Sequence, residues 1–188
     1  MRIGILALQG AVSPHVEKLK GLGASPAEVR VASDLDALDG IILPGGESTT
    51  MIHLLHLNQL WDPLKRFVAR KPTWGVCAGA ILLAKKVSHP RQASLEAMEM
   101  DIERNAFGRQ KESFIAPLVP VTDDWSPMEG VFIRAPRIRK LDSCVRILFK
   151  WKDEPVMVEQ LHYTATTFHP ELTDNPKIHE YFLKRCQG

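Results

Sequence analysis

Apolar positions in the first half of the chain alternate between short continuous runs and helically spaced sets. Arg2 to Leu8 is an apolar run, Val16, Leu19 and Leu22 recur at helical spacing, and Val29 to Ala32 and Gly40 to Leu43 are apolar again. Strands that are apolar throughout are buried on both faces, and covering both faces of a sheet needs helical crossovers. The order strand, helix, strand, strand therefore predicts a parallel α/β sheet. After Gly45-Gly46, helices are predicted around Thr50 to Leu57 and Trp61 to Ala69, with Pro63 tolerated in a first turn. Thr73 to Val76 reads as the next strand and Ala78 to Lys86 as the next helix.

Beyond about Pro90 the pattern changes to β-rich runs at Ser113 to Val121, Gly130 to Arg134, Val145 to Trp151 and Pro155 to Thr167. Pro117, Pro120, Pro127, Pro136 and Pro155 punctuate them, which suggests edge strands and loops rather than the central sheet. A last helix over Asn175 to Arg185 places Ile178, Tyr181, Phe182 and Arg185 on one face, which packs back on the sheet. With no internal repeat, low-complexity tract or linker, one domain over residues 1–188 is expected.

Composition narrows the function classes. The 188 residues are 45% hydrophobic and 24% charged, as in an ordinary globular domain, and the net charge of +2 supplies no broad cationic field for nucleic acid. Ile3 to Leu8 is the longest early apolar stretch, far below the roughly 20 residues of a membrane span and too close to the start for a secretory signal. A cytoplasmic protein without membrane contact is expected. Cys77, Cys144 and Cys186 are odd in number and widely spaced, which suggests neither a disulfide framework nor a paired-cysteine zinc site.

Candidate chemistry concentrates around Cys77. Thr73-Trp74-Gly75-Val76-Cys77-Ala78-Gly79 runs from a short strand through Gly-x-Cys-x-Gly into an apolar helix, the sulfur version of a nucleophile elbow. Small neighbours permit the tight turn, and a helix N-terminus stabilises a thiolate. An isolated cysteine is more often a buried packing residue, but glycines at this register favour the nucleophile. A cysteine nucleophile needs a base, and seven histidines compete: His15, His53, His56, His89, His162, His169 and His179. His169 stands out in Thr167-Phe168-His169-Pro170-Glu171-Leu172, because residues two apart in an extended segment point to one side and Glu171 is placed to orient the imidazole. The same hexapeptide equally fits a surface turn at Pro170 with a solvated ion pair.

Leu43-Pro44-Gly45-Gly46-Glu47-Ser48-Thr49 is a strand, paired glycines and a helix start. Two glycines allow backbone N–H groups to face a developing oxyanion, although a lone Gly-Gly reads more readily as a tight turn with Ser48 as N-cap. No Gly-Lys-Ser/Thr follows, so it is not a phosphate-binding loop. His53 and His56, three apart on a helix among leucines, read as helix-surface residues; no third metal ligand follows at convincing spacing. Cys144 and Cys186 read as packing and tail residues.

Taken together, Pro44 to Thr49, Gly75-Val76-Cys77-Ala78-Gly79 and Phe168-His169-Pro170-Glu171 resemble the triad-type (class I) glutamine amidotransferases. Three further segments are similar to the subfamily that serves as glutaminase subunits of pyridoxal 5′-phosphate synthases: Leu8-Gln9-Gly10-Ala11-Val12, Arg104-Asn105-Ala106-Phe107-Gly108-Arg109-Gln110 and Phe132-Ile133-Arg134-Ala135-Pro136. The resemblance runs from Ile3 to Thr173. It implies a flavodoxin-like three-layer fold with a mixed, mostly parallel central sheet.

The resemblance also implies Cys77 as nucleophile, His169 as general base and acid, and Glu171 as the group that orients it. Gly46, Glu47 and Ser48 would line the glutamine site, and Arg104, Ile133 and Arg134 would hold the amino-acid end of the substrate. Gly45, Gly46 and the N–H of Ala78 would form the oxyanion hole. The implied reaction hydrolyses L-glutamine to L-glutamate and ammonia through a glutamyl thioester, without metal or organic cofactor, and passes ammonia to a separate lyase subunit. Pro14, Glu96 and Leu161 depart from the family pattern, which usually has an acidic residue at the first position and glycine at the other two. A stand-alone cysteine hydrolase or peptidase on a similar scaffold is the competing enzyme reading, and a non-catalytic regulatory subunit is the alternative outside enzymes.

Overall fold

The structure, a computed structural model, describes residues 1–104, 106 and 113–188. Asn105 and the Phe107-to-Gln110 part of the motif noted above lie outside the described residues. In chain order the first half comprises β1 (Arg2–Leu6), α1 (Val12–Gly21), β2 (Ser25–Val29), a 3-10 turn (Ala32–Leu35), β3 (Gly40–Leu43), α2 (Ser48–Leu57), α3 (Trp61–Val68), β4 (Thr73–Val76) and α4 (Ala78–Leu83). Then come β5 (Ala84–Ser88), β6 (Met98–Glu103), β7 (Ser113–Pro120), β8 (Met128–Ile133), β9 (Arg137–Leu141), β10 (Arg146–Trp151), β11 (Glu154–Gln160), β12 (Tyr163–Thr166), a 3-10 turn (Pro170–Leu172) and α5 (Lys177–Arg185).

Nine strands form the main sheet in the order β2-β1-β3-β4-β12-β11-β10-β7-β8, and β5-β6-β9 form a second, smaller one. The main sheet is mixed: β2, β1, β3, β4 and β12 run parallel, and the strands beyond them pair antiparallel. Alternation along the parallel strands sorts their side chains into two cores. Leu6, Ile41 and Leu43 join Met51, Leu55, Leu64 and Leu82 from α2, α3 and α4. Ile3, Ile5, Ile42 and Trp74 join Leu19 from α1 and Ile178 and Phe182 from α5 on the opposite face. This is the three-layer arrangement, and it carries the expected packing of the last helix onto the sheet.

Several expected elements move. The strand at Val29 to Ala32 lies earlier, as β2, and only Val29 of it is buried. β2 is an edge strand, so it needs no apolar run and tolerates Pro26. The helix over Ala78 to Lys86 stops at Leu83, because Ala84 turns extended and the chain continues as β5, pairing with β6. The run Pro155 to Thr167 is two strands, and the late β-rich runs join the main sheet instead of lying outside it. β12 occupies the sheet's centre beside β4. Pro120 closes β7 and Pro155 lies beside a pairing irregularity between β10 and β11, whereas Pro117 sits within β7 opposite Glu129 of the edge strand β8.

Two of the departures from the family pattern have a structural consequence. Glu96 and Leu161 both hold left-handed backbone, with φ of 57° and 51°. A side chain at such φ is disfavoured by contact between Cβ and the following carbonyl. Leu161 is 78% exposed in the turn between β11 and β12, so little packing offsets this cost. Leu161→Gly should therefore stabilise the protein by about 1 kcal/mol, a rise of roughly 2–4 °C in thermal midpoint by differential scanning calorimetry. A drop in the midpoint would mean that the leucine side chain is needed there.

Candidate active site

In an open parallel sheet, ligands gather outside the carboxyl ends of the strands. Here β1 ends before Gln9-Gly10-Ala11, β3 before Gly45-Gly46, β4 before Cys77, and β12 three residues before His169. β1, β3, β4 and β12 are neighbours in that order, so four loops converge. They line a cavity of about 280 Å³ together with Glu47, Ser48, Ile81, Arg104, Ile133, Arg134 and Leu172. That volume suits a small ligand, below the usual range of about 300–1,000 Å³ for drug-sized molecules.

Cys77 sits at φ 49°, ψ −99°, the strained backbone of a nucleophile elbow. Its N–H continues the sheet ladder to the Thr166 carbonyl at 2.8 Å, while its carbonyl accepts from Ile81 N at 3.1 Å in α4. One residue is thus the last of a strand ladder and the first of a helix. The glycines around it are required by close approach: a Cβ on Gly75 would lie 2.5 Å from the Gly79 oxygen, and one on Gly79 would lie 1.9 Å from the Leu43 oxygen. The Cys77 sulfur faces the Ile133 carbonyl at 3.9 Å.

His169 and Glu171 are 6% and 4% exposed, so the reading of this segment as a solvated surface turn is wrong. Glu171 Oε1 takes His169 Nδ1 at 2.7 Å, which leaves Nε2 free for proton exchange. The backbone N–H of His169 donates to Val131 of β8 at 2.8 Å. Burial pulls the His169 pKa down, but its interactions with the Cys77 and Glu171 side chains outweigh burial and push it up to about 10. A Cβ on Gly45 would lie 2.3 Å from His169 Cε1, so the glycine lets that loop lie flat against the ring.

The remaining expected residues divide by what holds them. Glu47, rather than Ser48, caps α2, accepting from Thr50 N at 2.8 Å and also from the Thr49 hydroxyl. Burial raises its pKa, but these hydrogen bonds hold it down to about 2. Its Oε1 takes Arg104 Nη2 at 2.9 Å. Arg104 is buried, and its Nη1 has no hydrogen-bond partner among the described residues. Ser48 donates to Gln92 Oε1 at 3.1 Å. Ile133 ends β8 and Arg134 follows it, both lining the cavity, Arg134 at positive φ. Ala78, the first residue of α4, is buried directly after Cys77 and is not among the residues that line the cavity.

Gln9, Gly10 and Ala11 carry no individual role on sequence grounds, yet they strap the Gly45-Gly46 loop. Ala11 N donates to the Gly45 carbonyl at 3.0 Å, and Gln9 Oε1 accepts from Glu47 N at 2.9 Å. Gly10, at φ 107°, would place a Cβ 2.0 Å from the Gly45 oxygen, so only glycine fits. The signal available in the sequence was position: a glycine loop directly after the first strand. Elsewhere, His53 and His56 are exposed on α2, with His56 stacked on Trp61 at 4.8 Å. Among the described residues no group of three or more His, Cys, Asp or Glu side chains is placed to hold a metal, and no helix is long and apolar enough to cross a membrane.

Known proteins resemble the chain over nearly its whole length. The SNO glutamine amidotransferase family matches residues 5–188. Pyridoxal 5′-phosphate synthase subunit PdxT of Solibacter usitatus is 43% identical, covering 98% of this chain and 98% of its own. The protein of the same name from Brevibacillus brevis is 46% identical over 97% of this chain and 96% of its own. A crystal structure of a glutamine amidotransferase aligns with a TM-score of 0.92 at 43% identity, covering 99% of both chains. Likeness of that extent in sequence and in fold means that the chain belongs to the SNO glutamine amidotransferase family.

Proposed function

We propose that the cavity binds L-glutamine, that Cys77, His169 and Glu171 hydrolyse its side-chain amide, and that the ammonia goes to a pyridoxal 5′-phosphate synthase lyase subunit for vitamin B6 synthesis. The observation that carries this reading is the buried His169–Glu171 pair, 2.7 Å apart, on the same cavity as a strained cysteine elbow. Arg104 Nη1 is a buried cation donor with no acceptor among the described residues, and the α-carboxylate of glutamine supplies one through a charge-assisted hydrogen bond. Ile133 and Arg134 complete that end of the site, with Gly46, Glu47 and Ser48 along its wall.

In the reaction, Cys77 thiolate attacks the amide carbon and the oxyanion develops toward the Gly45-Gly46 loop and the N–H of Ala78. Protonated His169 passes its Nε2 proton to the departing ammonia, leaving a glutamyl thioester on Cys77. His169 then takes a proton from water, whose oxygen attacks the thioester carbon; the thiolate leaves with the electron pair and glutamate is released. Glu171 keeps Nδ1–H directed at itself throughout. The whole chain acts as one domain, and a cytoplasmic site fits three unpaired cysteines.

Dependence on the partner tests the assignment. The Gly45 carbonyl is tied to Ala11, and paired glycines turn at little steric cost, so docking against the Gln9-Gly10-Ala11 strap would reorient the loop. The lyase subunit should raise kcat for glutamine hydrolysis more than it lowers KM. Gly46→Ala should blunt that response, since its Cβ would lie 2.4 Å from Gln9 Oε1. Steady-state ammonia release with and without the lyase decides: full activity alone, unchanged on titrating the lyase in, favours the stand-alone hydrolase.

A further inference from the structure

We infer that His15 and His179 are positioning residues for the triad: His15 aims its Nε2–H at Glu171 Oε2 and holds that carboxylate for His169, while His179 fixes the His15 tautomer. The inference deepens the proposed function and rests on its assignment of Glu171 to His169. His15 comes from α1 and His179 from α5, far apart in sequence, and both are fully buried. His15 Nδ1 lies 3.0 Å from His179 Nε2. On its other side, His15 Nε2 lies 3.8 Å from Glu171 Oε2.

Glu171 uses Oε1 on His169, and its Oε2 is buried with no hydrogen-bond partner among the described residues. A carboxylate oxygen accepts and never donates, so an imidazole nitrogen facing it is favourable only when it carries hydrogen. His15 is thereby assigned the Nε2–H tautomer. Its Nδ1 then accepts from His179 Nε2–H, which leaves His179 Nδ1 without hydrogen; that atom is buried and has no hydrogen-bond partner among the described residues. At 3.8 Å the His15 N–H acts on Glu171 electrostatically rather than through a formed hydrogen bond.

Both imidazoles are held neutral, which the device requires. Burial, then His179 and His169, lower the His15 pKa well below its ordinary value; burial and Lys18 lower that of His179 to about 3. Around the pair, the 3-10 turn contributes Glu171 and, just before it, His169; α1 contributes Lys18, whose ammonium bonds the Thr173 carbonyl; β4 contributes only uncharged Trp74. A charged His15 would compete with His169 for the carboxylate. A neutral one orients it and leaves its charge to His169. Trp74 packs edge-on to both rings, with centroids 5.5 Å from His15 and 4.8 Å from His179, and its Nε1 is tied to Thr166 at 3.2 Å.

His15→Phe fills the volume and removes the N–H, whereas the amide of His15→Gln reaches to the Nε2 position. We expect kcat for ammonia release, assayed with the lyase subunit present, to fall roughly tenfold or more in His15→Phe with little change in KM, because a loosened carboxylate misplaces the base. The alkaline limb of the rate profile should also move to lower pH, since His169 loses part of what holds its proton. His15→Gln should recover most of both. A folded His15→Phe with wild-type kcat and an unmoved limb overturns the inference, as does a His15→Gln indistinguishable from His15→Phe. Should calorimetry show His15→Phe unfolded, His179→Leu against His179→Gln decides by the same two readouts. Cys77→Ala run alongside separates the layers: ammonia release that survives it overturns the triad reading itself.

Discussion

Cys77→Ala is expected to abolish glutamine hydrolysis and leave the fold intact. Ala occupies the same left-handed backbone as Cys at φ 49°, and the contacts that shape the turn, Cys77 N to Thr166 O and Ile81 N to Cys77 O, involve only main chain. What is lost is the sulfur, and with it the covalent intermediate, so the remaining rate should be that of the site's binding and polarising groups alone. Cys77→Gly should be equally inactive but more stable than Cys77→Ala by about 1 kcal/mol, because glycine relieves the backbone strain that the elbow holds for function. A glutamine-analogue alkylator should mark Cys77 and spare the other two thiols. Cys186 is kept protonated, its pKa pushed up to about 12 by burial and then by Asp39. Cys144, although exposed, is raised by desolvation and the neighbouring Asp142. Peptide mapping by mass spectrometry reads the result, and labelling mainly at Cys144 would remove Cys77 from its role.

How far this site was legible from the chain depends on how local its causes are. Gly40 to Leu43 and Thr73 to Val76 were read with their bounds because all four residues of each strand are buried, and burial on both faces writes a continuous apolar run. β2 is an edge strand with no such need, so its bounds leave no apolar run in the sequence. The end of α4 at Leu83 is not legible because the helix is buried on every side and lacks the polar face whose end would mark its stop. The Gly-x-Cys-x-Gly elbow was legible since its glycines answer contacts within the turn and with the adjacent strand. By contrast, β12 lies beside β4 although some 90 residues separate them in sequence, so the meeting of Cys77 with His169 is a product of strand order. The His15–His179 contact likewise joins one end of the chain to the other. An α1 histidine gives no local sign that α5 will bury it. The cap on α2 points to Ser48 in the sequence because serine is a preferred capping type and glutamate is not; Glu47 takes the position through Thr50 N and the Thr49 hydroxyl on one carboxylate oxygen while Arg104 holds the other.

Replacing the base should cost more than weakening its orienter. His169→Asn removes both proton transfers, the one to departing ammonia and the one from attacking water, and should lower kcat by about 10²–10⁴-fold. Glu171→Gln keeps an oxygen that accepts from His169 Nδ1 but loses the charge, so its loss should be smaller. The two variants also part in pH dependence. The folded protein holds the His169 pKa at about 10, against an ordinary value of 6.5. A raised value of this kind stabilises the fold fully below pH 6.5, and that stabilisation declines as pH rises through about 10. Wild-type thermal stability should therefore fall between those limits, and the alkaline limb of activity should lie near the upper one. In Glu171→Gln the carboxylate no longer favours the imidazolium, so the limb should shift to lower pH and the interval of declining stability should narrow. In His169→Asn this contribution to the decline should vanish. Calorimetry across that pH range and rate profiles of the three proteins test the argument together. If both variants keep near-wild-type rates, another histidine is the base, and the buried pair at 2.7 Å is structural.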